Sequence, residues 1–213
     1  GVTDDTAAIQ TTIAAIKANG GGTIVFPKGT YKVIFPTVTA YTCLFALPSN
    51  TGVVFESGAT MSVSAVTGST LFAGVFGVDK TALPVSNLRF ENLNMTQTAP
   101  SVGQESSSAI QLETGVDSAA NSVYDVVVNG CSFTGFANAV YIRHRSSTGS
   151  SERQVSRVII TNNFGAGNLG SFITADGNGI VIDSNTAYGI KPVSTGSYDA
   201  VSIHSGANIR ITN

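Results

Sequence analysis

Apolar and polar residues alternate in short bursts along most of this chain. Five segments share one grammar, an alternating strand that runs into a small polar residue: "NLRFENLNM", "DVVVNGCSF", "RVIITNNFG", "GIVIDSNTA" and "NIRITN". Their first inward positions are Leu88, Val126, Val158, Ile180 and Ile209; two residues on stand Phe90, Val128, Ile160, Ile182 and Ile211. Upstream, "TIVFPKG" (Ile24, Phe26) and "GVVFESG" (Val53, Phe55) fit the same template. From Ile24 to Ile209 the six intervals average about 31 residues, the length of one unit in a stacked repeat. A second strand family precedes the first in the later units: "AIQLE", "AVYIRH", "SFITA" and "AVSIH". Its inward residues are read as Ile110, Val140, Phe172 and Val201, then Leu112, Ile142, Thr174 and Ile203. A third, shorter strand carries Leu93 and Met95, then Cys131 and Phe133.

No such unit can close a core alone. Stacked units can, with equivalent strands pairing in parallel about 4.8 Å apart and like residues meeting in files. The turn between first and third strands reads Asn92, Gly130, Asn162, Ser184, Asn213, small residues suited to a tight bend. The pattern predicts an all-β parallel β-helix of about seven rungs. The one helical pattern lies over residues 3–20, "TDDTAAIQTTIAAIKANG". Asp4 or Asp5 can cap its start, Ile9, Ile13 and Ile16 share a stripe, Lys17 sits in the last turn and Gly20 can end it. A coil that began bare would expose unpaired strand edges, so this helix is expected to cap it.

Composition agrees. Of 213 residues, 42% are hydrophobic, 11% are charged and 23 are glycine, a balance that suits short strands and polar turns. Net charge is −2 with no run of Lys or Arg, which points away from nucleic acid. No apolar stretch reaches the roughly 18 residues of a membrane span. Cys43 and Cys131 stand far apart in apolar contexts and are read as two buried thiols. The chain is read as one β-helix domain over 1–213, cut from a longer polypeptide, because it starts at Gly1 and stops inside a strand pattern.

"GVTDDTAAIQ", "GGGTIVFPKGTY" and "GVVFESGAT" together resemble the opening segment of the pectate-lyase-like superfamily. The closest flavour is that of bacteriophage tailspikes and tail-associated polysaccharide depolymerases, and of some polygalacturonases and glucanases. The resemblance implies a right-handed coil. For the phage branch it implies a homotrimer on a virion tail that binds or cuts host-surface polysaccharide; a secreted enzyme would be extracellular. It covers about the first sixty residues in specific form. Fold alone does not fix activity.

The resemblance also places the sugar cleft on the sheet that holds "AIQLE", "AVYIRH", "SFITA" and "AVSIH". Outward residues there fall into columns: Gln111, Tyr141 and Ser202 in one, Glu113, Arg143 and His204 in the next, with His144 and Asp176 just beyond. Long turns ("TGVDSAANS", "RSSTGSSERQ") follow the first two strands and a short one ("DGN") the third, two banks and a gap. For glycoside hydrolysis, Glu113 and Asp176 are the candidate pair; two rungs put their strands about 9.6 Å apart, the inverting range. For elimination beside a uronate, Tyr141 or His204 would be the base and Arg143 the cation. Gln111, Tyr141, Arg143 and Ser202 would bind substrate.

Plainer readings stand beside these. Glu113 and Arg143 would equally make a surface ion pair, Asp176 in "ADGN" a turn, and His204 a solvated strand end. The polygalacturonase set of Asn-Thr-Asp, Asp-Asp, Gly-His-Gly and Arg-Ile-Lys is missing, as are the aspartate cluster that holds calcium in pectate lyases and any Trp. No cofactor or metal is called for. Three functions remain: a phage-type polysaccharide depolymerase, a non-catalytic structural or receptor-binding β-helix of a tail protein, and a secreted pectinase-like enzyme.

Overall fold

The structure is a computed structural model that describes residues 3–35, 42–64, 73–79, 81–98, 107–114, 122–143, 155–167, 170–189 and 199–212. His144 and Asn213 lie outside them. Three walls of parallel strands wind into a right-handed β-helix. The first wall stacks β1 (Gly22–Phe26), β4 (Thr51–Phe55), β7 (Val85–Glu91), β10 (Val123–Asn129), β13 (Val155–Thr161), the second half of β15 (Ile173–Asp183) and β18 (Arg210–Thr212). The second stacks β3 (Thr42–Leu47), β6 (Ala73–Val78), β9 (Ser107–Glu113), β12 (Asn138–Arg143), the first half of β15 and β17 (Val201–Ala207). The third stacks β2 (Gly29–Val33), β5 (Ala59–Val63), β8 (Asn94–Gln97), β11 (Ser132–Thr134), β14 (Phe164–Ala166) and β16 (Thr186–Tyr188). In β15 the chain passes from second wall to first without leaving the sheet.

The expected files exist: Leu88, Val126, Val158 and Ile180 stand in register and buried, as do Phe90, Val128, Ile160 and Ile182. The first two rungs enter those files two residues out of step. Val53 pairs with Phe90, and Thr51 takes the place beside Leu88, so Ile24 and Val53 belong to the second file. A two-residue slip keeps every side chain on its face, so alternation alone could not detect it. A one-residue correction falls on β15, where Val140 pairs with Ile173. Ile173 and Ala175 therefore continue the inward files, and Thr174 sits opposite Tyr141 on the outer side.

Corners are set by left-handed backbone. Asn92, Gly130, Asn162 and Ser184 have φ of 56°, 66°, 55° and 52°, the conformation that Asn and Gly tolerate best. At or near the start of β4, β7, β10, β13 and β18 runs another such ladder, with Asn50, Asn87, Asp125, Arg157 and Asn208 at 52–59°. Arg157 is a poor intrinsic choice there, but it is held by two hydrogen bonds to Asp125 (2.6 and 2.9 Å) and lies 4.8 Å above the Tyr124 ring. Inside one corner, Asn163 donates to the Val128 carbonyl and accepts from Cys131 N, while Asn185 repeats the pattern one rung on. Cys131 is buried and its thiol is pushed up to about 12, mainly by desolvation; Cys43 is only half-buried, and no disulfide joins the two.

The N-terminal helix, α1, spans Thr6–Ala18, shorter than the expected 3–20. Ile9 and Ile13 are buried in the core and Ile16 packs against it, so the stripe does cap the first rung. Asp5 holds the N-cap position without a side-chain capping bond; its carboxylate accepts from Lys32 N (2.8 Å) and ties the helix entrance to β2, while Asp4 Oδ1 accepts from Thr6 N (3.0 Å). At the other end Lys17 bonds the Asp79 carboxylate just past β6. Beneath the helix the core is aromatic: Phe26 lies 4.7 Å from Phe55 and Phe45 5.2 Å from Phe76, ring centre to ring centre. No helix among the described residues is long and apolar enough to cross a membrane.

Candidate functional site on the outer face of the second wall

In a coil of this kind, outward residues are expected to meet water. On the first wall they do: Ile159 is 44% exposed, with Arg89, Arg157 and Arg210 also in solvent. The second wall is different. All seven residues of β9 are buried, including Gln111 and, at 1% exposure, Glu113. Tyr141, Thr174 and Asp176 (8%) are buried on the same face, with Arg143 and Ser202 half-buried. Of thirteen buried polar or charged residues among those described, Thr51, Gln97 and Asn163 lie elsewhere, and the other ten lie on second-wall strands or just beside them. Burying polar groups is costly without partners.

The register brings most of the expected residues together. Gln111 pairs with Tyr141, Tyr141 with Thr174 and Thr174 with Ser202, one continuous file. Glu113 pairs with Arg143. Asp176 is a strand residue within β15, not a residue beyond the strand end, two positions past Thr174, where the pairing with β12 stops. His204 does not join the file. A register shift puts Ser205, not His204, opposite Asp176, so His204 occupies the bulge. Glu113 is too buried to belong to a surface ion pair.

Two short contacts define the local chemistry. Gln111 Nε2 donates to Glu113 Oε2 at 2.6 Å, and Arg143 Nη1 donates to Tyr141 Oη at 2.7 Å. Thr174 Oγ1 donates to Asn138 Oδ1 at 3.1 Å. Ser108 Oγ, Gln111 Oε1 and Thr114 Oγ1, all buried and all from one strand and its end, have no hydrogen-bond partner among the described residues. Orphaned groups of this kind are rare in folded proteins and call for a reason.

A cavity of about 460 Å³ opens elsewhere, on the outer face of the first wall, lined by Arg89, Asp125, Val127, Arg157, Ile159 and Val181 among others. Its arginines are already satisfied: Arg89 by Glu91 (2.7 Å), Arg157 by Asp125. Hydrogen bonds from Arg157 hold the Asp125 carboxyl below its usual range. A shallow aliphatic floor ringed by paired charges offers no acid, base or unspent cation.

Sequence reasoning missed the burial of this face and the polar groups Ser108, Thr114 and Asn138. One signal was available. Gly74 and Gly77 interrupt β6, and glycine inside a strand marks a close approach. A Cβ on Gly74 would lie 2.5 Å from Gln111 Cβ; one on Gly77 would lie 2.0 Å from Cys43 Sγ and 2.6 Å from Gln111 O.

No family model matches the chain, and no curated protein matches it either. Among solved structures, a candidate glycosyl hydrolase from Parabacteroides merdae aligns over all of this chain and 91% of its own, with 14% identity and a TM-score of 0.55. A tailspike protein of E. coli bacteriophage HK620, solved with a hexasaccharide, aligns over 88% of this chain and 53% of its own at 13% identity, TM-score 0.33. An A-module of an Azotobacter vinelandii mannuronan C-5 epimerase aligns over 100% and 73% at 15% identity, TM-score 0.35. The chain has a right-handed parallel β-helix architecture. At these identities the likeness speaks for fold alone.

Proposed function

We propose that the outer face of the second wall is a saccharide site, and that this chain is a tailspike- or tail-fibre-type β-helix that binds and cleaves a surface polysaccharide. The observation that carries the reading is the gathering of buried polar side chains on that one face, with orphaned groups among them. Polar atoms kept out of water without partners cost stability, and functional sites are where such costs persist. In this reading Arg143 and Ser202, the half-buried members, meet the sugar first, with Gln111 and Tyr141 behind them. Glu113 and Asp176 act as the carboxylate pair of an inverting hydrolysis across about 9.6 Å. The end-to-end fold match to a candidate glycosyl hydrolase is in keeping with this.

A second reading rests on a separate contact. The Arg143 guanidinium donates to the Tyr141 hydroxyl oxygen, which pairs a proton-accepting oxygen with a cation, as elimination from a uronate requires. The bulged His204 would be the alternative base. A virion-borne homotrimer or a secreted extracellular protein would each suit the saccharide role; a purely structural shaft is the non-catalytic outcome. No cofactor or metal enters either reaction.

One assay separates these. Incubated with capsular, lipopolysaccharide and plant cell-wall glycans, a hydrolase releases reducing ends without ultraviolet absorbance, and a lyase adds an absorbance from unsaturated products. Glu113→Gln and Asp176→Asn should each remove reducing-end release while the melting curve keeps its shape. Full activity in both variants would take these carboxylates out of the reaction. Absence of binding to every glycan would sink the saccharide reading.

A further inference from the structure

We infer that Gln111 is a positioning residue: it does not touch the sugar but aims the Glu113 carboxylate, which fixes Glu113 as the proton acceptor of the pair and leaves Asp176 as the acid. This rests on the hydrolytic reading above. Three observations support it. Gln111 is fully buried, and its amide nitrogen is spent on a protein carboxylate. Its Nε2 donates to Glu113 Oε2 at 2.6 Å, a bond that uses the carboxylate as an acceptor. Its Oε1 has no partner among the described residues. A glutamine present for packing would satisfy both ends of its amide or give way to an aliphatic residue; here one end is left unpaired while the other grips a carboxylate.

The socket around Gln111 is built to hold it. Gly74 leaves no room for a Cβ beside Gln111 Cβ (2.5 Å) or Oε1 (3.0 Å), and Gly77 clears both the Gln111 carbonyl and the Cys43 sulfur. Two strand glycines therefore fix where Gln111 lies, and Gln111 fixes one carboxylate oxygen of Glu113. One carboxylate oxygen held by a donor leaves the other aimed, the geometry a general base needs before it takes a proton from the attacking water. The proton so taken resides on Glu113, while Asp176 gives its own to the departing glycosidic oxygen. The pair is reset by exchange with solvent.

The test is steady-state cleavage of whichever glycan the wild-type protein degrades, with Gln111→Met, Glu113→Gln and the double variant. Gln111→Met should lower kcat about 10- to 100-fold with KM within about twofold. In the Glu113→Gln background the same change should add little further loss, because the two residues act as a unit. A Gln111→Met enzyme with normal kcat, beside an inactive Glu113→Gln enzyme, overturns the inference and leaves the hydrolase reading standing. A lower kcat with a proportional fall in melting temperature, and the same further loss in the Glu113→Gln background, assigns Gln111 to structure only. If Glu113→Gln itself is active, or no glycan is cleaved, the hydrolytic reading falls and this inference falls with it.

Discussion

The first and second walls of this coil are made in the same way and finished differently. Both stack parallel strands in register, and both turn one file inward to the same core. On the first wall the outer face is wet, its charges paired side by side on the surface, Arg89 with Glu91 and Arg157 with Asp125. On the second wall the outer face is closed over polar residues, and the rungs approach so tightly that glycine is required at two positions of β6. Period-two alternation says which side of a strand is inward. It does not say whether the other side meets water, and that second fact is what marks the site.

Adjacent residues on the first wall offer the sharpest way to break the comparison. Val158→Asp would bury an unpaired carboxylate in the core and should cost more than about 4 kcal/mol, enough to leave the chain unfolded in a urea titration. On the outer face of the second wall, Gly77→Ala meets the Cys43 sulfur and the Gln111 carbonyl. It should cost about 1–3 kcal/mol of overpacking, seen as a lower denaturation midpoint.

Asp79, at the end of β6, gives an intermediate effect with a pH signature. Burial pushes its carboxyl up, but hydrogen bonds from Lys17 and from the Thr81 hydroxyl and N–H outweigh burial and hold it below the ordinary carboxylate value. A group depressed on folding contributes stability that is fully present above its unfolded value of about 3.9 and is lost as pH falls through the folded value. Asp79→Asn should therefore cost about 1 kcal/mol at neutral pH and converge with wild type in acid, as read from melting at both pH values.

The smallest effects belong to the first wall's outer face. Gly52→Ala meets chiefly the Thr23 hydroxyl at 3.1 Å, a side chain on an exposed residue, and Ile159→Asp changes a residue already half in water. Both should stay within about 0.5 kcal/mol of wild type. A large loss from either would show that this face is covered after all, and the contrast between the walls would collapse.

Much of this was visible in the sequence because repetition reinforces weak signals. One strand such as "RVIIT" is ambiguous; the same pattern recurring about every thirty residues, each time ending at Asn, Gly or Ser, is not. The cap helix was equally visible from Ile9, Ile13 and Lys17. What escaped is what alternation cannot encode. The two-residue offset of Thr51 and Val53 preserves the faces, and Phe172, though buried in the core as expected, is not level with Val140, whose partner is the equally apolar Ile173 beside it. The bulge at His204 breaks a file that simple counting keeps straight. Arg157 at φ 52° is invisible as a turn residue because its left-handed backbone depends on Asp125 one rung below.

Since each rung's register is fixed by bonds to the rungs above and below it, the connections at the corners are free of any duty to set it. Between second and first walls the chain runs on without a break in β15, whereas in sequence residues 144–154 separate the two strands one rung earlier and residues 114–122 two rungs earlier. Chain can thus be added or removed at a corner without disturbing the files. Such a scaffold lets recognition diversify one storey at a time while the interior is inherited unchanged.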